Sequence, residues 1–268
     1  MSVQTGHAPR VTVIGNGSRP AVALHCTMAF GGAWKGLSDA LPELQFIAPD
    51  MPSHGASPDW DETSDFARLV YDGALAALPE DGQVDLVGHS FGAATALWLA
   101  VTHPERLRSL TVIEPVFFAI IRDTAPDTLA AYDEVAKPFQ AALQAGDRMA
   151  AARAFNRQWS SDAPDWEELP ERTRAAMARG VHVVPASRAF LYEDSAGLLA
   201  PGALDSCEVP TLILRGEFAH PAIVAVNDAL TARMPAAVQD VVPGAGHMAP
   251  ISHPGAVADA MKPLLARS

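Results

Sequence analysis

The pentapeptide Gly88-His89-Ser90-Phe91-Gly92 has the residue types and the spacing of a turn that presents a nucleophile. It follows a β-like run at residues 83–87 and leads into an apolar helical run at residues 93–100. A serine between a strand and a helix, with a glycine two residues away on each side, has the geometry of a nucleophile elbow. The turn strains the backbone of the serine, and side chains at the glycine positions would collide with the neighbouring strand and helix.

A serine hydroxyl attacks a carbonyl only with help from a base, a carboxylate that orients the base, and donors for the developing oxyanion. Among the nine histidines, His247 is the best candidate for the base. The segment Gly244-Ala245-Gly246-His247 follows the last predicted strand and precedes the last predicted helix. This places His247 on a loop at the same edge of the sheet as Ser90, in the expected chain order of nucleophile, acid and histidine.

The elements that must position these residues are short apolar runs alternating with helical segments. Seven runs, apolar on successive residues, predict strands buried on both faces of a largely parallel sheet. They lie at residues 11–14, 21–25, 44–48, 84–87, 110–113, 211–214 and 238–242. Helices are predicted at about 63–78, 91–102, 222–234 and 254–267. The alternation predicts an α/β protein with a doubly wound, mostly parallel sheet.

One long segment interrupts this alternation. Residues 122–202 contain no convincing strand and predict several helices, around 129–145, 148–159, 166–179 and 187–192. We therefore predict a core made of residues 1–121 and 203–268, with residues 122–202 inserted as a helical cap. Open α/β sheets bind ligands at the carboxyl ends of their strands, so a cap at that edge would act as a lid. The alternative is a packing subdomain that never touches the substrate.

The composition excludes several classes of partner. The 19 Lys and Arg against 31 Asp and Glu give a net charge of −12, which repels nucleic acid and anionic membranes. The first ten residues lack the apolar core of a signal peptide, and no segment is apolar enough for a membrane helix, so we expect a cytoplasmic protein. The two cysteines, Cys26 and Cys207, predict neither a disulfide framework nor a metal site.

Five motifs in a fixed order give the chain a resemblance to a known fold family. They are His25 after an apolar run, Ala48-Pro49-Asp50-Met51-Pro52-Ser53-His54-Gly55-Ala56-Ser57, the Gly88 to Gly92 pentapeptide, Pro210-Thr211-Leu212-Ile213-Leu214-Arg215-Gly216, and Gly244-Ala245-Gly246-His247. In this order they resemble the α/β-hydrolase-fold superfamily, over essentially the whole chain outside the insertion. The resemblance implies a Ser-His-acid triad, no cofactor, and hydrolysis of an ester, an amide or a related bond.

The acid of the triad departs from the usual pattern of that superfamily. The commonest position, in a Gly-x-x-Asp turn after the strand at 211–214, is occupied by Ala219. Two substitutes are available: Glu217 in the same turn, and Glu114 at the end of the strand at 110–113. Some relatives carry the acid after the strand that follows the nucleophile helix, as Glu114 would. We favour Glu114 because a carboxylate at the end of an apolar strand needs a partner, and the His247 imidazolium is the natural one.

The oxyanion hole follows from the same resemblance, and the substrate pocket follows from the residues that flank the proposed site in the sequence. We assign the oxyanion donors to the backbone N–H groups of Phe91 and Thr27. Cys26 stands where relatives tend to carry glycine, and Ser53 replaces a glycine in the 50–57 loop. Aromatic and apolar residues near the proposed site predict an apolar pocket, with ordinary core packing as the alternative for each. The pocket candidates are Met28, Phe30, Trp34 and Phe117 beside the site, and Trp159 and Phe190 from the lid.

Serine at position 90, rather than aspartate, favours acyl transfer over the chemistry of dehalogenases or epoxide hydrolases. We predict a cofactor-free and metal-free serine hydrolase that cleaves a small, fairly apolar ester, thioester or lactone through an acyl-enzyme. Two alternatives stay open: perhydrolase or haloperoxidase-like activity on the same residues, and a receptor-like protein that binds a ligand and turns it over slowly. The expected partner is a small molecule, and a homodimer is left open.

Overall fold

A computed structural model describes residues 8–159 and 164–268 and contains a seven-stranded sheet. The strands are β1 (Val11–Ile14), β2 (Arg19–Leu24), β3 (Leu44–Pro49), β4 (Val84–His89), β5 (Leu107–Ile113), β6 (Thr211–Gly216) and β7 (Ala237–Val242). Their order in the sheet is β1-β3-β2-β4-β5-β6-β7, with β1 antiparallel to β3 and the other neighbours parallel. The predicted α/β fold with a mostly parallel sheet is confirmed.

Helices cover both faces of the sheet. Those outside the predicted insertion are α1 (Lys35–Ala40), α2 (Phe66–Ala76), α3 (Phe91–Thr102), α8 (Pro221–Arg233), α9 (Ala249–Ser252) and α10 (Pro254–Arg267). Side chains of α2, α3 and α8 pack with alternate strand residues such as Val22 and Leu86 on one face. Side chains of α1 and α10 pack with Ala21 and Val87 on the other. Both faces of the central strands are therefore buried, which is why these strands are apolar on successive residues.

The described residues between β5 and β6 form helices connected by loops and short 3₁₀ turns, and contain no strand. The helices are α4 (Pro126–Gln144), α5 (Arg148–Trp159), α6 (Glu171–Gly180) and α7 (Arg188–Glu193), and we call them and their connections the helical segment. The predicted helix over 166–179 is a 3₁₀ turn followed by α6, because Pro170 disfavours the helical conformation at the preceding residue. Residues 160–163 of the predicted insertion lie outside the described residues.

The segment has a small apolar cluster of its own and also contacts the core. The cluster is formed by Phe139, Ala151, Ala152, Trp166, Ala178 and Val181. Trp159 and Phe190, by contrast, belong to the apolar cluster on one face of the sheet. The helical segment is therefore packed on the sheet at its carboxyl edge. Among the described residues, no helix is long and apolar enough to cross a membrane.

Candidate active site

Ser90 occupies a strained turn between β4 and α3. Its φ is 55° and its ψ is −116°, a backbone conformation that costs free energy for a residue with a side chain. A Cβ atom at Gly88 would lie 2.4 Å from the carbonyl oxygen of Gly92, and one at Gly92 would lie 2.2 Å from that of Leu24. Glycine at both positions is therefore a steric requirement. The turn leaves Ser90 on the wall of a cavity at the carboxyl edge of the sheet.

Glu114 and His247 meet at the same edge. Glu114 directly follows β5, is completely buried, and its Oε2 lies 3.0 Å from Nδ1 of His247. Its other oxygen, Oε1, accepts a 2.7 Å hydrogen bond from the backbone N–H of Gly216. Because an ionised carboxylate only accepts, Nδ1 of His247 carries the proton and Nε2 has the free electron pair. This is the tautomer that a general base for Ser90 requires.

Glu217, the alternative acid, has a different environment. It is exposed, and its Oε2 accepts a 2.8 Å hydrogen bond from the backbone N–H of Gly244. Glu217 therefore stabilises the turn that precedes His247, whereas Glu114 is the carboxylate that contacts the imidazole. At the usual acid position, the Ala219 N–H closes the turn by donating to the carbonyl of Gly216.

Besides Glu114, two aromatic side chains contact His247: His89 and Trp159. His89, for which the sequence pattern indicates no role, donates from Nε2 to the carbonyl oxygen of His247 at 2.8 Å. Burial holds the pKa of His89 well below its usual value, so this ring stays neutral. Trp159 lies at the end of α5, and the centroid of its ring is 4.1 Å from the centroid of the His247 ring. The helical segment thus contacts the candidate base directly.

The two proposed oxyanion donors lie on neighbouring backbone segments. Phe91 is the first residue of α3, and Thr27 belongs to the loop after β2 that lies against the start of that helix. In the hydrogen-bond network of the described residues, neither backbone N–H has a protein acceptor. Both residues and Ser90 line one cavity, so the two N–H groups are available to an oxyanion formed there.

That cavity has a volume of about 380 Å³ and lies between the sheet edge and the helical segment. Its wall near Ser90 includes Val116, Phe118 and Trp159. Along the opposite side, one face of α4 contributes residues three or four positions apart, as helix geometry requires. They are Tyr132, Asp133, Ala136, Phe139, Gln140, Leu143 and Gln144. The lining also includes polar side chains such as those of Gln158 and Arg188, and Arg188 is exposed.

The structure corrects most of the predicted pocket residues. Trp159 lines the cavity, but the other five candidates do not. Phe30 is 52% exposed, and Trp34 is buried against Phe46 on the opposite face of the sheet. Phe117 and Phe190 are fully buried behind the cavity wall.

Met28, the fifth, packs against the small cluster of the helical segment. Trp34, Phe117 and Phe190 are used for core packing, and α4 contributes a large part of the pocket instead. The spacing of Tyr132, Ala136 and Gln140 along one helical face was the signal in the sequence that could have found it.

Comparison with known proteins agrees with this geometry. The sequence pattern described as "Alpha/beta hydrolase family" matches residues 21–260. The chain is 30% identical over 245 residues to a pimeloyl-[acyl-carrier protein] methyl ester esterase of Aeromonas hydrophila subsp. hydrophila, covering 87% of this chain and 90% of that protein. It is 34% identical over 103 residues to the lipase LipV of Mycobacterium tuberculosis, covering 37% of this chain and 38% of the lipase.

A solved structure of a hydrolase from Pseudomonas aeruginosa PA01 has the same fold, with a TM-score of 0.76 and 22% identity over 99% of this chain and 97% of that one. The family match covers most of the chain, and the relatives named above are an esterase and a lipase. The chain therefore belongs to the alpha/beta hydrolase family and is a hydrolase of the carboxylesterase type.

Proposed function

We propose that the protein hydrolyses small, fairly apolar esters, including thioesters and lactones, through an acyl-enzyme on Ser90. The observation that carries this proposal is the buried contact of 3.0 Å between Nδ1 of His247 and Glu114, next to Trp159, which lines the same cavity as Ser90. A base held in this tautomer can accept the proton of a serine hydroxyl. The methyl ester esterase among the relatives supports ester cleavage as the reaction.

The proposed reaction has two steps of the same kind. His247 takes the proton of Ser90 as the hydroxyl oxygen attacks the carbonyl carbon, and the N–H groups of Thr27 and Phe91 bind the oxyanion. His247 then gives the proton to the leaving alcohol, and the acyl group stays on Ser90. In the second step His247 takes a proton from water, which attacks the carbonyl of the acyl-enzyme, and then gives that proton to the Ser90 oxygen as the bond to the acyl group breaks and the acid leaves. In both steps Glu114 stabilises the imidazolium that forms.

We further propose that the helical segment acts as the lid over this reaction and selects the chain length of the substrate. The cavity runs along α4 from Tyr132 to Gln144, a distance of about 18 Å at the rise of an α-helix. Ala136, Phe139 and Leu143 contribute apolar side chains to this wall, beside the polar side chains of Asp133, Gln140 and Gln144. An acyl or alkoxy chain of several carbons therefore fits along α4 while its carbonyl lies at Ser90.

A larger side chain on this wall should narrow the cavity, so that the enzyme accepts only esters with a shorter acyl or alkoxy chain. Ala136 is buried and lines the cavity, so the ring introduced by Ala136→Phe would fill space that a chain needs. We expect kcat/KM for a p-nitrophenyl octanoate to fall by about 10- to 100-fold, the loss that one to three kcal/mol of lost apolar contact produces, with the acetate nearly unaffected. The measurement is a series of p-nitrophenyl esters from acetate to octanoate.

Ala131→Phe is the matched control, because Ala131 is exposed on the same helix and does not line the cavity. It should leave the whole series unchanged. If Ala136→Phe lowers acetate and octanoate turnover equally, chain length is not selected along α4.

A further inference from the structure

Two loops beside Ser90 are joined by a pair of buried imidazoles. The first is the 25–28 loop, which carries the proposed oxyanion donor Thr27, and the second is the 50–57 loop. His25 belongs to the first loop, and its Nδ1 lies 2.8 Å from the carbonyl oxygen of Cys26. Since a carbonyl only accepts, Nδ1 carries the proton, and Nε2 accepts the backbone N–H of Met51 in the second loop at 3.0 Å.

His54 makes the reciprocal connection from the second loop. Its Nδ1 donates to the carbonyl oxygen of Pro52 at 2.8 Å, and its Nε2 accepts the backbone N–H of Met28 at 2.9 Å. Each loop therefore contributes one imidazole that accepts a backbone N–H of the other loop. The centroids of the two rings are 5.4 Å apart, and both residues are almost completely buried.

The hydrogen bond to Met28 has a structural task next to the oxyanion hole. Met28 has a φ of 67°, in the left-handed region that non-glycine residues rarely adopt, and it directly follows Thr27. His54 is 2% exposed, so water cannot readily take its place as the acceptor. Burial, together with the neighbouring His25, lowers the pKa of His54 to about 3, which keeps Nε2 unprotonated and able to accept.

The helical segment contacts this connection at the end of α6. Arg179 bonds to Asp59 at 2.7 Å, and donates to the carbonyl oxygens of Ser57 at 2.7 Å and Gly55 at 3.0 Å. A Cβ atom at Gly180 would lie 2.7 Å from Nε2 of His54, so α6 approaches the imidazole as closely as glycine allows. The segment that covers the cavity therefore also fixes the loop that carries His54.

We propose that His54 is a positioning residue for the oxyanion hole, holding the Met28 amide and hence the adjacent Thr27 N–H in place beside Ser90, with Gly180 closing over the imidazole. The proposal rests on the function proposed above for Ser90. His54 touches neither the substrate nor the reacting atoms and acts through the backbone of the 25–28 loop.

Two substitutions test the two hydrogen bonds of the His54 imidazole separately. In His54→Gln the side-chain oxygen can take the place of Nε2 and still accept the Met28 N–H. In His54→Asn the amide can take the place of Nδ1 and donate to Pro52, but no acceptor reaches Met28. We expect His54→Asn to lower kcat by about 10- to 100-fold, the effect of a small misplacement of a catalytic group, with KM changed by less than about threefold. His54→Gln should recover most of that loss.

An alkyl trifluoromethyl ketone gives a readout that a general loss of folding would not. It adds to the serine and places an oxyanion in the hole, so its inhibition constant should weaken in His54→Asn by the same factor as kcat/KM. The affinity for the acid product should stay unchanged. Equal loss in His54→Asn and His54→Gln, or no loss in either, would overturn the proposal, because the acceptor at Nε2 would then not matter.

Gly180→Ala tests the hydrogen bond between His54 and Met28 without substituting His54 itself. Gly180 has a φ of −86°, which alanine adopts without strain, so the new methyl acts through its contact with the imidazole. We expect Gly180→Ala to lower kcat by about tenfold in the wild type and by less than twofold in the His54→Asn background. The second effect is smaller because the substitutions of two residues in contact are not additive. Gly255→Ala, where a Cβ meets nothing within 4 Å, is the control and should leave kcat unchanged.

These experiments also separate the two proposals. If the wild-type protein hydrolyses none of the p-nitrophenyl esters, the proposed function fails. If it hydrolyses them and Gly180→Ala has the same effect in both backgrounds, the function stands and the positioning role of His54 fails. Should His54→Asn not fold, the Gly180→Ala and Gly255→Ala pair decides the question alone, since a loss confined to Gly180→Ala supports the role and equal activity overturns it.

Discussion

Glu114→Gln is expected to lower kcat for ester hydrolysis by about 10⁴-fold while leaving KM nearly unchanged. Glutamine keeps the shape of the side chain, and its oxygen can still accept the Gly216 N–H that Glu114 accepts at 2.7 Å. The atom that then faces Nδ1 of His247 is an amide nitrogen, which donates. His247 would have to turn its electron pair toward residue 114 and its proton toward Ser90, and this tautomer cannot act as the base.

The matched control is Glu217→Gln. Glu217 is exposed and bonds to the Gly244 N–H, so its loss should change kcat by no more than about threefold, the effect of roughly 0.6 kcal/mol. Steady-state kinetics on one p-nitrophenyl ester, with thermal unfolding of each variant, make the comparison. The reverse pattern, a large loss at Glu217 and none at Glu114, would show that the buried carboxylate is not the acid.

His247→Ala should have a still larger effect, with kcat reduced by about 10⁵- to 10⁶-fold, as when the base of a serine hydrolase is removed. The substitution takes away the group that accepts the serine proton and also leaves Glu114 buried without its partner. The ring of Trp159, 4.1 Å from that of His247, should keep the emptied space open at one side. Imidazole added to the solution should therefore restore part of the activity.

His103→Ala provides the comparison for this second variant. His103 follows α3 at the far end from Ser90 and pairs with Glu105 at 3.6 Å on the surface. Its removal should leave kcat unchanged. Retention of more than about a tenth of the wild-type activity in His247→Ala, which corresponds to less than 1.4 kcal/mol, would mean that another group acts as the base.

The sequence predicts the sheet well because its physical signal is strong. All seven predicted runs are strands. Burial on both faces explains the apolar pattern of the central strands, but the prediction of such burial is wrong for the edge strands β1 and β7, which are half-buried or exposed along most of their length because each has a neighbour on one side only. The two helices that the sequence pattern does not predict, α1 and α9, span six and four residues. Helices this short contain little more than one turn, so no hydrophobic period can develop in them.

The site is predictable where it depends on chain order and much less where it depends on packing. Ser90, Glu114 and His247 each follow a strand, and the carboxyl ends of parallel strands meet at one edge, so their proximity follows from topology. The structure brings Glu114 and His247 into contact at that edge. Trp34 and Phe117 are as close to the site in sequence as the oxyanion loop, yet they pack in the core. Which apolar side chain faces a cavity is decided by neighbours distant in sequence.

The role proposed for His54 lies beyond the reach of the sequence for a related reason. The 50–57 loop is recognisable as a motif, but the motif does not say which nitrogen of His54 faces which backbone group. That information comes from the approach of two loops separated by β3 and from the end of α6, which lies more than a hundred residues later. Polar residues of such a loop have functional meaning only once their hydrogen-bond partners are known.

Reaction of the folded protein with a fluorophosphonate, followed by mass spectrometry of its peptides, tests the central claim most directly. A serine activated by His247 attacks phosphorus and keeps the phosphonyl group, whereas unactivated serines do not react. We predict one adduct per chain, on Ser90, with loss of esterase activity in proportion to labelling and no adduct in Ser90→Ala. Folded wild-type protein that remains unlabelled at Ser90, or that keeps its esterase activity once Ser90 is labelled, would contradict the account.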